Sequence, residues 1–246
     1  MALAVWMLYA ADRLMDTRLL NIDDIDPTRH EDLEARHYFH RRHRTAFLTG
    51  ILFCSIALAA LLPHLDAAAI RLYLILGGLV AGYFILIHAT SSATAQQKVA
   101  HRMPKEIAVG LCFAAATFIP TVARRPDLRY PLLPIALVFA ALCSLNCLFI
   151  YAWEHEDHRT NHPPHAITRV ALGNLPALTA ALIFCSIAVV LLDRRVPWPI
   201  SCASALSAAI LLLLHNRRLA IARTTLRAAA DLALTTPLLL LPIVLR

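Results

Sequence analysis

Polar residues interrupt the apolar pattern of this chain at intervals close to the thickness of a lipid bilayer. Runs built mainly from Leu, Ile, Val, Ala and Phe cover approximately residues 2–19, 45–64, 68–91, 105–123, 131–153, 167–192, 198–215 and 222–245. A hydrocarbon core about 30 Å thick is crossed by roughly 20 helical residues, because each advances the helix by about 1.5 Å. The pattern therefore predicts an all-α, polytopic transmembrane bundle of about eight helices. No Gly/Ser-rich linker separates the runs, so residues 1–246 read as a single integral membrane domain. The longest polar connection, residues 20–44, is acidic at its start and rich in Arg and His at its end. It reads as a cytoplasmic loop, helical in part.

The first run is atypical. Its apolar stretch ends at Ala11, and Asp12, Arg13 and Asp16 follow within the same helical pattern. Neither a basic leader nor a small-residue cleavage site precedes it, which argues against a removable signal peptide. The run begins in mid-pattern, as if an element were missing upstream. Pro120, Pro134, Pro176, Pro237 and Pro242 fall inside runs, where each removes a backbone hydrogen bond and can kink a helix. The stretches Ala57 to Ala60, Ala114 to Ala116 and Ala203 to Ala209 are expected to allow close helix contact. Asp231 lies deep in the last run and needs a partner: Arg227, one turn earlier, is the first expectation and Thr235, one turn later, the second.

Composition agrees with the pattern. Of 246 residues, 59% are hydrophobic and 16% charged, and the mean hydropathy of +0.62 excludes an ordinary soluble globular domain. The net charge of +7 carries topology, not nucleic-acid affinity, because the basic residues are unevenly shared. Arg13 aside, the connections at 18–44, 98–105, 159–169 and 217–227 hold 15 Lys and Arg, against 7 elsewhere. The positive-inside rule places the richer set in the cytoplasm and both termini outside; the multi-pass chain is expected in the cytoplasmic (inner) membrane. Arg124, Arg125, Arg194 and Arg195 run against this assignment. Cys54, Cys112, Cys143, Cys147, Cys185 and Cys202 all lie inside apolar runs and read as small buried residues, neither disulfides nor a metal set.

Two short segments then stand out. Tyr9-Ala10-Ala11-Asp12 and Tyr151-Ala152-Trp153-Glu154 each end an apolar run with an acid, and a His-rich loop follows each. They divide the chain into two halves of four helices with the same orientation, the geometry of a parallel repeat. Carboxylates at such positions are costly and mark functional sites. Asp12 and Asp16 are four residues apart, so both point to one helix face. Two such oxygens suit Mg2+, which takes one or two carboxylates together with water and substrate phosphates. Glu154 and Asp157, at i,i+3, are placed to face them, with Asn146 two turns earlier on the same helix, while Glu156 points elsewhere. The same acids also fit simple interfacial ion pairs with Arg13, Arg18 and Arg159.

Leu8-x-x-x-Asp12-x-x-x-Asp16 and Asn146-x-x-x-Ile150-x-x-x-Glu154-x-x-x-His158 resemble the two aspartate-rich motifs of the UbiA-type membrane prenyltransferase superfamily. The segments YAADRLMD, RHYFHRRH, MPKEIAVG and RAAADLALTTPLLLL are similar to poorly characterised bacterial members. Members have nine transmembrane helices, with the motifs at the cytoplasmic ends of the second and sixth. If the first helix is absent, the eight runs here fall on the second to ninth and the acids on the expected pair. The resemblance implies Mg2+-dependent transfer of an isoprenyl group from a prenyl diphosphate to a hydrophobic or aromatic acceptor within the lipid phase. It implies one metal on Asp12 and Asp16 and another on Glu154 and Asp157, with catalysis by Asp12, Asp16 and Glu154. Arg41, Arg42 and Lys105 are placed to grip phosphate oxygens, and Asn146, Tyr9 and Tyr151 to line the substrate cavity. Leu8, Ile150 and His158 depart from the family pattern, so the second motif is poorer in oxygen ligands.

Two other functions fit the chain. A degenerate second motif suits a non-catalytic membrane protein of the same fold that binds a lipid or a partner. The spacing of His37, His40 and His43, and of His155, His158, His162 and His165, is similar to the histidine boxes of membrane di-iron oxygenases, and imidazole clusters suit iron, zinc or copper. No adjacent His-His pair is present, however. His88 and His215 read as interfacial or packed residues.

Overall fold

The computed structural model describes residues 3, 6, 7, 10, 11, 14, 42–89, 103–155, 165–192 and 198–236, and among them it is all-helical. Among the described residues eight α-helices can be bounded: α1 (Arg44–Leu61), α2 (Ala67–Ala89), α3 (Lys105–Arg124), α4 (Leu133–Glu154), α5 (Ala166–Gly173), α6 (Leu175–Leu192), α7 (Trp198–Asn216) and α8 (Arg223–Ala233). Among the described residues five helical segments are long and apolar enough to cross a membrane: Arg44–His64, Lys105–Arg124, Leu133–Glu154, Leu175–Leu192 and Trp198–Asn216. The protein is a membrane protein. The chain divides into two compact units, residues 1–70 and 71–246.

In the first unit, Leu3, Trp6, Met7, Ala10, Ala11 and Leu14 are helical, as the first apolar run predicts. The Trp6 ring stacks on Phe47 of α1 with centroids 6.3 Å apart and planes at 15°. Gly50, one turn further along α1, makes room for it: a Cβ there would meet Trp6 Cη2 at 2.5 Å. No residue of α1 is buried, and Ala59 and Ala60 are exposed, so the close contact expected along Ala57 to Ala60 is not made among the described residues.

The second unit is organised around α4. Half of its membrane window is buried, against 17% for α3, 22% for α6 and 33% for α7. Leu142, Leu145, Phe149 and Trp153 of α4 pack with Leu175 and Leu182 of α6, Ala208 and Leu211 of α7, and Leu226, Ala230 and Ala233 of α8. The small residues of α7 behave as their composition suggests: Ser201, Ala203, Ser204, Ser207 and Ala208 are all buried. Ser207 Oγ lies 2.8 Å from the Ala233 carbonyl and 2.6 Å from Thr236 Oγ1, which donates to the Ala203 carbonyl at 3.0 Å. Two hydroxyl protons serve three contacts, so the pair carries one of two alternative donor arrangements linking α7 to the end of α8.

Three expectations change. The run 167–192 is two helices, not one: the chain breaks at Asn174, ahead of Pro176, whose ring clashes with the carbonyl four residues back. Pro134 kinks nothing, because α4 begins at Leu133 and leaves it in the first turn, where no intrahelical N–H is needed. Of the last run, α8 covers Arg223–Ala233, and residues 237–245 lie outside the described residues. All six cysteines are free, as expected, but only Cys143 is buried, while Cys185 and Cys202 are exposed on apolar helices. A thiol is apolar enough to face lipid tails as readily as a protein core.

Candidate functional site

Because successive helices alternate in direction, the N-termini of α3 and α5, the C-termini of α4 and α7, and the start of α8 meet at one end of the second unit. Several interhelical polar contacts lie there. α3 begins after Pro104, and Glu106 in its first turn complements the positive end of the helix dipole. Thr168 of α5, buried, donates to Glu106 Oε2 at 3.1 Å. His165 caps α5 by accepting from the Ile167 N–H through Nδ1 at 3.2 Å. Trp153 Nε1 donates to His215 Nδ1 at 3.1 Å, and the His215 ring lies 5.3 Å from that of Phe149. His215 is thus a packed residue, as its position near a helix end suggests.

The second motif faces α8. Asn146 and Glu154 are eight residues apart and so share a face of α4. Asn146 Nδ2 donates to Asp231 Oδ1 at 3.3 Å, and the Arg227 guanidinium meets Glu154 Oε1 at 2.8 Å. The Glu154 and Arg227 side chains retain only 15% and 24% exposure. The expected pairing of Asp231 with Arg227 or Thr235 is therefore not made. The i−4 arginine reaches across to α4 instead, and Thr235 turns its hydroxyl to the Leu232 carbonyl at 2.6 Å. Likewise Glu154 meets a cation from α8, 73 residues away in sequence, where the interfacial reading names Arg13, Arg18 and Arg159. Asn146 Oδ1 is buried without a hydrogen-bond partner among the described residues.

Other predicted residues are placed as follows. Lys105 is exposed at the first position of α3, at the same end as Glu154, and Arg42 is exposed just before α1 in the first unit. Tyr151 is half-buried and stacked on His155 with centroids 4.1 Å apart, so one ring face is covered. His155 Nδ1 also donates to the Tyr151 carbonyl at 2.9 Å, which gives this loop histidine a local structural task. Tyr9, Asp12, Asp16, Arg41 and Asp157 lie outside the described residues, as do His37, His40, His158 and His162. Sequence reasoning did not single out Glu106, Thr168, Arg218 or Arg223. Glu106 adjoins Lys105 and could have been found as the only acid near the start of its run.

Trp153 and Leu226, the chain neighbours of Glu154 and Arg227, line a half-open cavity of about 260 Å3 together with Arg218, Ile221, Ala222 and Arg223 among others. Arg218 is steadied by donating to the His215 carbonyl at 3.0 Å. Arg223 and Arg227 lie one turn apart on the same stripe of α8. Glu154 is neutralised by Arg227, and among the described residues no group of three or more His, Cys, Asp or Glu could hold an ion; Asp12, Asp16 and Asp157 of the expected metal set lie outside them. No protein-family model, curated protein or solved structure matches this chain.

Proposed function

We propose that this protein binds an isoprenyl diphosphate at the polar end of its helices, facing the cytoplasm of the inner membrane, and transfers the isoprenyl group to a hydrophobic or aromatic acceptor. The observation that carries the proposal is the convergence of Asn146, Tyr151, Glu154 and Lys105 with the arginines of α8 at one end of an apolar helical unit. Such an end receives a charged head while the tail stays among apolar helices. In the transfer, the bond between the allylic carbon and the diphosphate oxygen breaks and its electron pair leaves with pyrophosphate. The acceptor then bonds to that carbon and loses a proton. The protein's share is to hold the diphosphate and neutralise the charge that grows on it. Asp12 and Asp16 keep the donor chemistry for Mg2+, which when bound would supply part of that neutralisation.

The test uses purified full chain with Mg2+ and geranyl, farnesyl and geranylgeranyl diphosphates. Expected are saturable binding and acceptor-dependent pyrophosphate release, lowered about a hundredfold by Asp12→Ala or Asp16→Ala, in the range seen when one charge-stabilising group is removed. Absence of both binding and turnover would overturn the proposal. One observation favours a second function, a non-catalytic lipid-binding protein: the Glu154–Arg227 pair occupies a carboxylate of the acidic motif. Binding with no pyrophosphate release for any acceptor would select it.

A further inference from the structure

Glu154 and Arg227 form a contact that an incoming phosphate can exchange. A guanidinium binds carboxylate and phosphate with the same forked donors, so the two anions compete for it. The 2.8 Å pair is partly buried, so Arg227 is held in place and its charge is only partly screened by solvent. The cavity lined by Trp153 and Leu226, the chain neighbours of Glu154 and Arg227, is lined also by two more arginines, Arg218 and Arg223. At about 260 Å3 it is smaller than the roughly 300–1,000 Å3 that encloses a drug-sized ligand. It therefore suits a polar head and leaves a long tail outside.

We propose that Arg227, with Arg223 and Arg218 on the adjoining cavity wall, is the diphosphate-recognising group of this protein, and that Glu154 is its resting counter-ion, displaced when the ligand binds. This rests on the diphosphate function proposed above and adds to it the residues that take the head. It also reverses the role that the acidic motif suggests for Glu154: the carboxylate is a competitor of the phosphate, not a metal-mediated holder of it. The ligand's cation at this half of the site is organic, supplied by α8, and its binding here does not require a metal.

The two roles for Glu154 predict opposite signs. Binding of inorganic pyrophosphate and of geranyl diphosphate to the full chain in detergent is measured with EDTA and with Mg2+, geraniol serving as the head-free control. Both phosphates are expected to bind in EDTA. Glu154→Gln is expected to tighten binding several-fold, and Arg227→Gln to weaken it about tenfold or more, the size of one lost charge-assisted hydrogen bond. Arg227→Lys is expected to fall between, because it keeps the charge and loses the fork. Arg223→Gln, which removes a residue lining the cavity and leaves Arg227 in place, is expected to weaken binding as well and covers the case in which Arg227→Gln does not fold. If geranyl diphosphate binds only with Mg2+ and Glu154→Gln abolishes it, the inference is overturned while the proposed function stands. If neither phosphate binds under either condition, both are overturned.

Discussion

Gly110 shows how tightly one residue can be specified in this fold. It is buried on α3 against α4, and a Cβ there would collide with Ser144 Oγ and meet the Ala140 carbonyl at 2.5 Å and the Ser144 nitrogen at 2.9 Å. Two of these atoms are backbone and cannot yield, and Ser144 Oγ is tied to the Ala140 carbonyl at 3.0 Å. In an open helix Gly→Ala gains about 1 kcal/mol, whereas overpacking costs about 1–3 kcal/mol, so the collision decides the sign. Gly110→Ala is expected to lower the melting temperature in detergent by several degrees. Gly77→Ala and Gly82→Ala, where a Cβ meets nothing within 4 Å, should be neutral or stabilising. Equal melting temperatures for all three variants would refute the contact. Residue-scale legibility is uneven in the same way. The shared face of Asn146 and Glu154 could be read from their spacing, and so could the need of Asp231 for a partner. Which partner it takes could not: Arg227 is the nearest cation in sequence, but its long side chain has a choice that only the placement of α4 resolves.

Among the elements, α3 is a helix that carries a proline and is repaired by its neighbour. Pro120 lies inside Lys105–Arg124 and cannot donate to the carbonyl of Ala116, four residues back. Away from water an orphan carbonyl is costly, and the Tyr73 hydroxyl of α2 donates to that carbonyl at 3.1 Å. The apolar run announces the helix, and Pro120 announces a defect in it, but the donor comes from 43 residues away and leaves no local signature. Tyr73→Phe is expected to cost about 1 kcal/mol, within the range of interhelical hydrogen bonds in membranes. In a Pro120→Ala background the restored N–H serves the carbonyl, so the same substitution should cost less there. A double-mutant cycle on thermal or denaturant unfolding measures the coupling. A cost independent of residue 120 would show that the tyrosine serves some other purpose. The break between α5 and α6 is the converse case, since Pro176 there falls in the first turn of a new helix and leaves nothing to repair.

At the scale of the whole molecule the remaining question is which way the polar end faces. In the second unit the connections at 98–105, 159–169 and 217–227 all lead to that end, and they hold nine Lys and Arg. Arg71, Arg124, Arg125, Arg129, Arg194 and Arg195 belong by chain order to the other end, which makes six, the C-terminal Arg246 aside. Arg125 among them pairs with Asp127 at 2.9 Å and holds that carboxyl below the usual carboxylate range. Carboxylates count little in the positive-inside rule, however, so the margin stays at nine against six. It is enough to set orientation but not to make it robust. Alkaline phosphatase joined after Arg129 is therefore expected to be active, and the same reporter joined after Thr160 inactive, with a fluorescent reporter giving the reverse pattern. Replacing Arg217 and Arg218 by Gln narrows the margin to seven against six and should yield both orientations in one preparation. Phosphatase activity at the Thr160 junction of the unaltered chain would invert the molecule and move the candidate site to the opposite face of the membrane. A diphosphate supplied from the cytoplasm would then have no access to Arg227.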